Sequence, residues 1–122
     1  MTIKPSIHVA QLGTRLSISP VLWGIEEEGI PFEVIENKAQ QAVVDEAYNL
    51  ACDSALLVGI AVDDKQAVLH FKKLPQNKPL FVVGTSEKEL MTLGANAARL
   101  VKGIGFKKIE NGEKNEQRTW YD

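Results

Sequence analysis

Leu56-Leu57-Val58-Gly59-Ile60-Ala61-Val62, followed by Asp63-Asp64-Lys65-Gln66 and then Ala67-Val68-Leu69-His70-Phe71, decides the fold class of this 122-residue chain. The first run is short and continuously apolar, the pattern of a central strand buried on both faces. The next four residues have turn chemistry, and the third run reads as another short strand. Four residues are too few for a crossover between parallel strands, so the two runs form an antiparallel hairpin. Helical and strand patterns alternate around it, which favours an α/β sandwich.

Working outward, Ser6 to Leu12 places Ile7, Val9 and Leu12 in alternation and reads as a first strand. Ser19 is suited to cap a helix and Pro20 to open it, with Val21, Leu22 and Ile25 as its buried stripe and Gly29 and Pro31 as its stop. Phe32, Val34 and, out of phase, Ile35 suggest a second strand. Residues from Ala39 to Cys52 form an amphipathic helix with Val43, Val44, Ala47, Tyr48 and Ala51 on one side. Leu80 to Val83 makes a fifth strand. Ser86-Glu87-Lys88-Glu89 fits a capping box, after which Leu90, Leu93, Ala97, Leu100 and Ile104 keep one face apolar until Gly103 ends the helix. Residues 1–106 are thus expected to form one α/β domain. Residues 107–122 have little to bury and are expected to be a disordered tail.

The formal net charge is −2 and the composition is that of an ordinary globular protein. There is no basic stripe to suggest nucleic acid and no polybasic patch to suggest a membrane surface. No apolar run approaches the roughly 20 residues that span a bilayer, and Met1-Thr2-Ile3-Lys4-Pro5 lacks the apolar core of a signal peptide. The single cysteine, Cys52, excludes an internal disulfide and fits a reducing compartment. The expected location is the cytoplasm.

Two stretches depart from local consistency. In Gly24-Ile25-Glu26-Glu27-Glu28-Gly29-Ile30-Pro31-Phe32, three carboxylates stand at the end of a helix, where each exposed charge opposes the helix dipole by roughly 0.3–1 kcal/mol. A bound cation or a basic partner surface would resolve the conflict, and a solvated acidic face is the plainer explanation. In Gly94-Ala95-Asn96-Ala97-Ala98-Arg99-Leu100-Val101-Lys102-Gly103, a helix holds an interior glycine that costs roughly 1 kcal/mol relative to alanine. Small residues permit close backbone approach by another element, or pack this helix on its own sheet. Arg99 and Lys102, three residues apart, could reach carboxylates or answer the dipole of their own helix.

Motifs of independent catalysis are missing. His8 and His70 are far apart and read as ordinary strand residues, and Cys52 as a buried structural thiol. No Walker loop, dinucleotide fingerprint or Ser-His-Asp order is present. Gly84-Thr85-Ser86 lies between a strand and a helix start, where an anion could bind, a weak signal that every strand-to-helix turn shares. Asp63 and Asp64 are explained by their turn.

Gly24 to Phe32, Leu56 to Ala61, Lys73-Leu74-Pro75 and Asn96 to Gly103 resemble, in order and spacing, the small subunit of the reactivating factor for coenzyme B12-dependent diol and glycerol dehydratases. The resemblance covers most of residues 21–106. It implies a three-layer α/β/α sandwich with a five-stranded mixed sheet whose fourth strand is antiparallel, similar to the dehydratase medium subunit. It implies a chaperone-like partner with no catalytic site of its own. A large subunit binds ATP or ADP and pairs with the small one, typically as α2β2, and the complex frees inactivated dehydratase of damaged cobalamin so that adenosylcobalamin can enter. It further implies an interfacial Mg2+ ion with Glu27 as ligand, and partner contacts from Trp23, Glu26, Glu28, Asn96, Arg99 and Lys102. Two other readings remain: a medium-type subunit of the dehydratase itself, against which the absence of extra N-terminal sequence argues, and an unrelated small-molecule-binding α/β domain using the Gly84-Thr85-Ser86 turn.

Overall fold

The structure, a computed structural model, describes residues 4–13, 17–36 and 41–109. The described elements are β1 (Ile7–Gln11), α1 (Ser19–Glu27), β2 (Phe32–Val34), α2 (Val43–Asp53), β3 (Val58–Val62), β4 (Ala67–Phe71), β5 (Phe81–Val83) and α3 (Glu87–Lys102). The strands form one sheet in the order β2-β1-β3-β4-β5. β1 pairs in parallel with both β2 and β3, while β4 runs antiparallel to its neighbours β3 and β5. The hairpin inferred from the Asp63–Gln66 turn is therefore the hinge of a mixed sheet. Asp63 builds that turn by accepting the N–H groups of Lys65 and Gln66 on its carboxylate.

Strand alternation sorts the core into two layers. Ile7, Val9, Val58, Ile60 and Leu69 point to the face covered by α1 and α3, where they meet Val21, Ile25, Leu90 and Leu93. Ala10, Ala61 and Val68 point to the opposite face and pack on Val43, Ala47 and Leu50 of α2. α2 lies directly over β3 at Gly59, where an added Cβ would come within 2.5 Å of the Ala47 carbonyl oxygen. The result is the expected α/β/α sandwich.

Local starts and stops differ from expectation in informative ways. α1 begins at Ser19 with Ile18 in the cap position, so Ser19 is not the cap. The hydroxyl of Ser17 accepts the Ser19 N–H at 3.0 Å and serves the helix start from one residue earlier. β3 begins at Val58, because Leu56 and Leu57 belong to a turn in which Ser54 accepts the N–H of both residues, on its hydroxyl and carbonyl oxygens respectively. α2 begins at Val43, and the residues proposed to start it from Ala39 lie partly outside the described ones. The capping box of α3 is present in full, with Ser86 and Glu89 serving each other's backbone N–H. Gly103 closes the helix in the left-handed conformation, at φ 73°.

The described structure continues past residue 106. Phe106 meets Phe81 edge-on at 5.1 Å, and Ile109 packs against the larger core. Lys107 is held through both its backbone groups by Asn96. The remainder of the proposed tail, with Trp120 and Tyr121, lies outside the described residues.

Candidate functional site

The acidic end of α1 and the basic end of α3 lie together because the two helices cross at a pair of glycines. A Cβ on Gly24 would fall onto the carbonyl oxygen of Met91, and one on Gly94 onto that of Val21. The close approach that Gly94 permits is thus made by α1 of the same chain. Burial outweighs the intrinsic cost of the glycine. Leu90 and Leu93 beside it are buried, and each such side chain contributes about 1.5–3 kcal/mol against the roughly 1 kcal/mol that glycine loses.

This crossing brings Glu28 to Arg99 and Lys102. One Glu28 carboxylate oxygen accepts from Arg99 Nε at 3.0 Å and the other from Lys102 Nζ at 2.8 Å. Lys102 also donates to the Glu28 carbonyl at 2.9 Å, while Arg99 Nη1 donates to the carbonyl of Gly105. The two cations therefore sit at the C-terminal ends of both helices, where the dipoles favour positive charge. The Glu28 side chain is only 12 % exposed. Its hydrogen bond from Lys102 holds the carboxyl below the ordinary carboxylate range, with Arg99 acting in the same sense and partial burial opposing them. One of the three carboxylates is thereby neutralised within the chain.

The other two face outward. Glu26 and Glu27 are exposed, and among the described residues neither has an ion-pair partner. Trp23, one turn earlier, is 45 % exposed, a high value for a large apolar side chain. Spacings of three and four residues put Trp23, Glu26 and Glu27 on neighbouring parts of the helix surface. Asn96 behaves differently from its expected role. It is fully buried, and its amide holds Lys107 through bonds of 3.0 and 2.6 Å, so it presents no surface for a partner to touch. Beyond Lys102, a cavity of about 380 Å³ is lined by Leu100, Gly103, Ile104, Gly105 and Phe106. Nothing in the amino-acid pattern signalled it.

The alternative anion site is closed from within. Glu89 accepts from Gly84 N–H at 3.0 Å and from Ser86 N–H at 3.2 Å, so a carboxylate of the chain already occupies the donors a phosphate would need. The histidines also have local explanations. His70 is buried, with Nε2 at 2.9 Å from the Gln76 carbonyl and Nδ1 at 2.9 Å from the Phe71 N–H. His8 of β1 lies beside Glu33 of the neighbouring β2, with its Nε2 4.0 Å from a Glu33 carboxylate oxygen. Cys52 is half-buried rather than buried, and its contact raises the phenol pKa of Tyr48, with desolvation adding to the shift. Among the described residues no group of three or more His, Cys, Asp or Glu is placed to hold a metal ion, and no helix is long and apolar enough to cross a membrane.

This sandwich, with its acidic helix end, belongs to a known class. The dehydratase medium subunit family matches residues 4–107. The chain is also similar to small subunits of dehydratase-reactivating factors. It is 46 % identical over 100 residues to the diol dehydratase-reactivating factor small subunit of Klebsiella michiganensis, covering 80 % of this chain and 79 % of that one. It is 46 % identical over 108 residues to the propanediol dehydratase-reactivating factor small subunit of Salmonella typhimurium, covering 86 % and 92 %. Among solved structures, a diol dehydratase-reactivating factor complexed with ADP and Mg2+ matches with a TM-score of 0.79 and 43 % identity, over 87 % of this chain and all of that one. A glycerol dehydratase reactivase matches with a TM-score of 0.78 and 27 % identity, over 88 % and 100 %. The chain belongs to the dehydratase medium subunit family and to the small subunits of dehydratase-reactivating factors.

Proposed function

We propose that the chain is the non-enzymatic partner of an ATP-hydrolysing large subunit, in an α2β2 complex that releases damaged cobalamin from an inactivated B12-dependent diol or glycerol dehydratase. Its shared family with the dehydratase's own medium subunit supports an exchange mechanism. A chain that resembles that subunit can occupy its docking site on the large subunit and then yield the site to it. The ATP and ADP belong to the large subunit on this reading, in keeping with the Gly84-Thr85-Ser86 turn being filled by Glu89. The complex works in the cytoplasm.

The observation that carries the proposal at residue level is the outward pair Glu26 and Glu27 beside an exposed Trp23. Mg2+ prefers hard carboxylate oxygen and few protein ligands. An exposed Glu27 suits it as one ligand, and because the described residues do not assemble a metal site alone, the remaining ligands would come from the partner. When bound, the ion would supply a releasable electrostatic link between the two proteins. Trp23 and Glu26 would border it, while Glu28, Arg99 and Lys102 would support it from behind.

Copurification with a coexpressed large subunit tests the assignment, since a stable complex with the dehydratase catalytic subunit instead would favour the medium-subunit reading. Titration calorimetry tests the site. Glu27→Gln should bind the large subunit at least about tenfold more weakly in Mg2+, the loss of one charge-assisted contact, and the difference should vanish in chelator. Equal affinities in Mg2+ would remove Glu27 from the interface.

A further inference from the structure

The acidic run contains three carboxylates, and the fold treats them unequally. Both oxygens of Glu28 are engaged by cations of α3, at 3.0 Å by Arg99 and 2.8 Å by Lys102. Its main-chain carbonyl, the last of the α1 turn, is held at 2.9 Å by the same Lys102. Arg99 in turn ties down Gly105, so one pair of side chains fastens the ends of α1 and α3 and the segment after α3. Successive residues on a helix diverge by about 100°, so fixing Glu28 inward directs Glu27 and Glu26 outward, where both are exposed.

We propose that Arg99 and Lys102 are positioning residues. By sequestering Glu28 they leave Glu27, with Glu26 beside it, as the carboxylates presented at this end of the molecule, and they set the charge next to Glu27. This rests on the reading of Glu27 as a ligand to a divalent cation shared with the large subunit. The three glutamates and two cations together carry a net −1. Without the cations the same end would carry −3 and would offer Glu28 as a third carboxylate. Without Glu28 it would carry two uncompensated positive charges next to Glu27. A single charge roughly 8 Å from a divalent ion, in a surface environment, changes its binding on the order of tenfold, less at high salt.

That reasoning gives opposite signs for the two sides of the clip, which a loss of structure would not. The experiment uses the full chain and its large subunit, with Mg2+ titrated as the probe and association followed by biolayer interferometry. Glu28→Gln should raise the Mg2+ concentration needed for half-maximal association by about three- to tenfold. Arg99→Gln combined with Lys102→Gln should lower it. The triple variant, uncharged at all three positions, carries −2 against the wild-type −1, so its midpoint should fall between those of the double variant and the wild type even where its thermal stability does not. Shifts in the same direction for both sides, or no shift in either, would overturn the inference provided that Glu27→Gln still abolishes the Mg2+ dependence. If Glu27→Gln itself leaves that dependence intact, the ligand assignment fails, and with it the premise of this inference.

Discussion

Gly24 of α1 and Gly94 of α3 lie against each other's helix backbones, each at the point where a side chain would meet a main-chain carbonyl of the opposite helix. The pair works as a unit, since either glycine alone would leave the other helix blocked. Gly94→Ala should therefore destabilise the chain, although alanine is the better helix former by about 1 kcal/mol. The obstruction is backbone, which cannot rotate away, and overpacking of this kind costs about 1–3 kcal/mol or more. Thermal unfolding of Gly24→Ala, Gly94→Ala and the double variant would check it. A rise in midpoint for Gly94→Ala would show that the helices can separate at little cost.

Asn96 links α3 to the segment after it. Asn96→Ala would leave the Lys107 N–H and carbonyl without their partners, at a cost of about 1–3 kcal/mol. Part of that loss should appear locally. Limited trypsin digestion should cut at Lys107 or Lys108 faster in the variant than in the wild type, with little change at Lys65. An unchanged cleavage pattern would mean that Phe106 and Ile109 hold the segment by themselves.

What the amino-acid sequence revealed depended on the range of the interaction. The β3–β4 hairpin was legible because a four-residue turn leaves one geometry open, and the capping box at Ser86 and Glu89 because its partners are three residues apart. The true start of β3 was hidden by an apolar pattern that Leu56 and Leu57 share with the strand, although Ser54 claims them for a turn. The acidic run was visible as a conflict, but its partial resolution was not. Glu28 finds Arg99 71 residues away and Lys102 74 residues away, and only the Gly24–Gly94 crossing brings them into reach. The resemblance implies a partner contact for Asn96, whereas its side chain is buried and bonded to the backbone of Lys107, which the helix pattern alone does not reveal.

Glu28 also carries a pH dependence of definite sign. Its folded-state pKa is depressed, mainly by Lys102. The stability it contributes is therefore fully present above the unfolded carboxylate value of about 4.3 and is lost as pH falls through the lower folded value. Urea denaturation of the isolated chain should show Glu28→Gln less stable than wild type at neutral pH, by about 1 kcal/mol for a partly exposed pair. The gap should narrow in acid as the wild-type carboxyl takes up a proton. A gap of constant size from neutral to acidic pH would mean that the residue acts through packing and not through charge.

The isolated chain should neither hydrolyse ATP nor restore an inactivated dehydratase, whereas the chain combined with its large subunit should do both. The strand-to-helix turn at Gly84-Thr85-Ser86 has its backbone donors filled by Glu89, so that turn is not an open phosphate cradle. A subunit that resembles the dehydratase's own can hold a docking site, but holding it supplies no direction. Exchange requires that the large subunit prefer one partner in one nucleotide state and the other partner in another, because a ligand moves an equilibrium only by its differential affinity for the two states. The measurement is release of cyanocobalamin from a dehydratase complex, followed by recovery of activity with fresh adenosylcobalamin. Each is assayed with the small chain alone, the large subunit alone and the two together, with and without ATP. Release by the small chain alone would contradict the partner role, and full release by the large subunit alone would make exchange unnecessary. Release that needs both chains and ATP, and that slows as excess free small chain is added, is the behaviour expected of two subunits competing for one site.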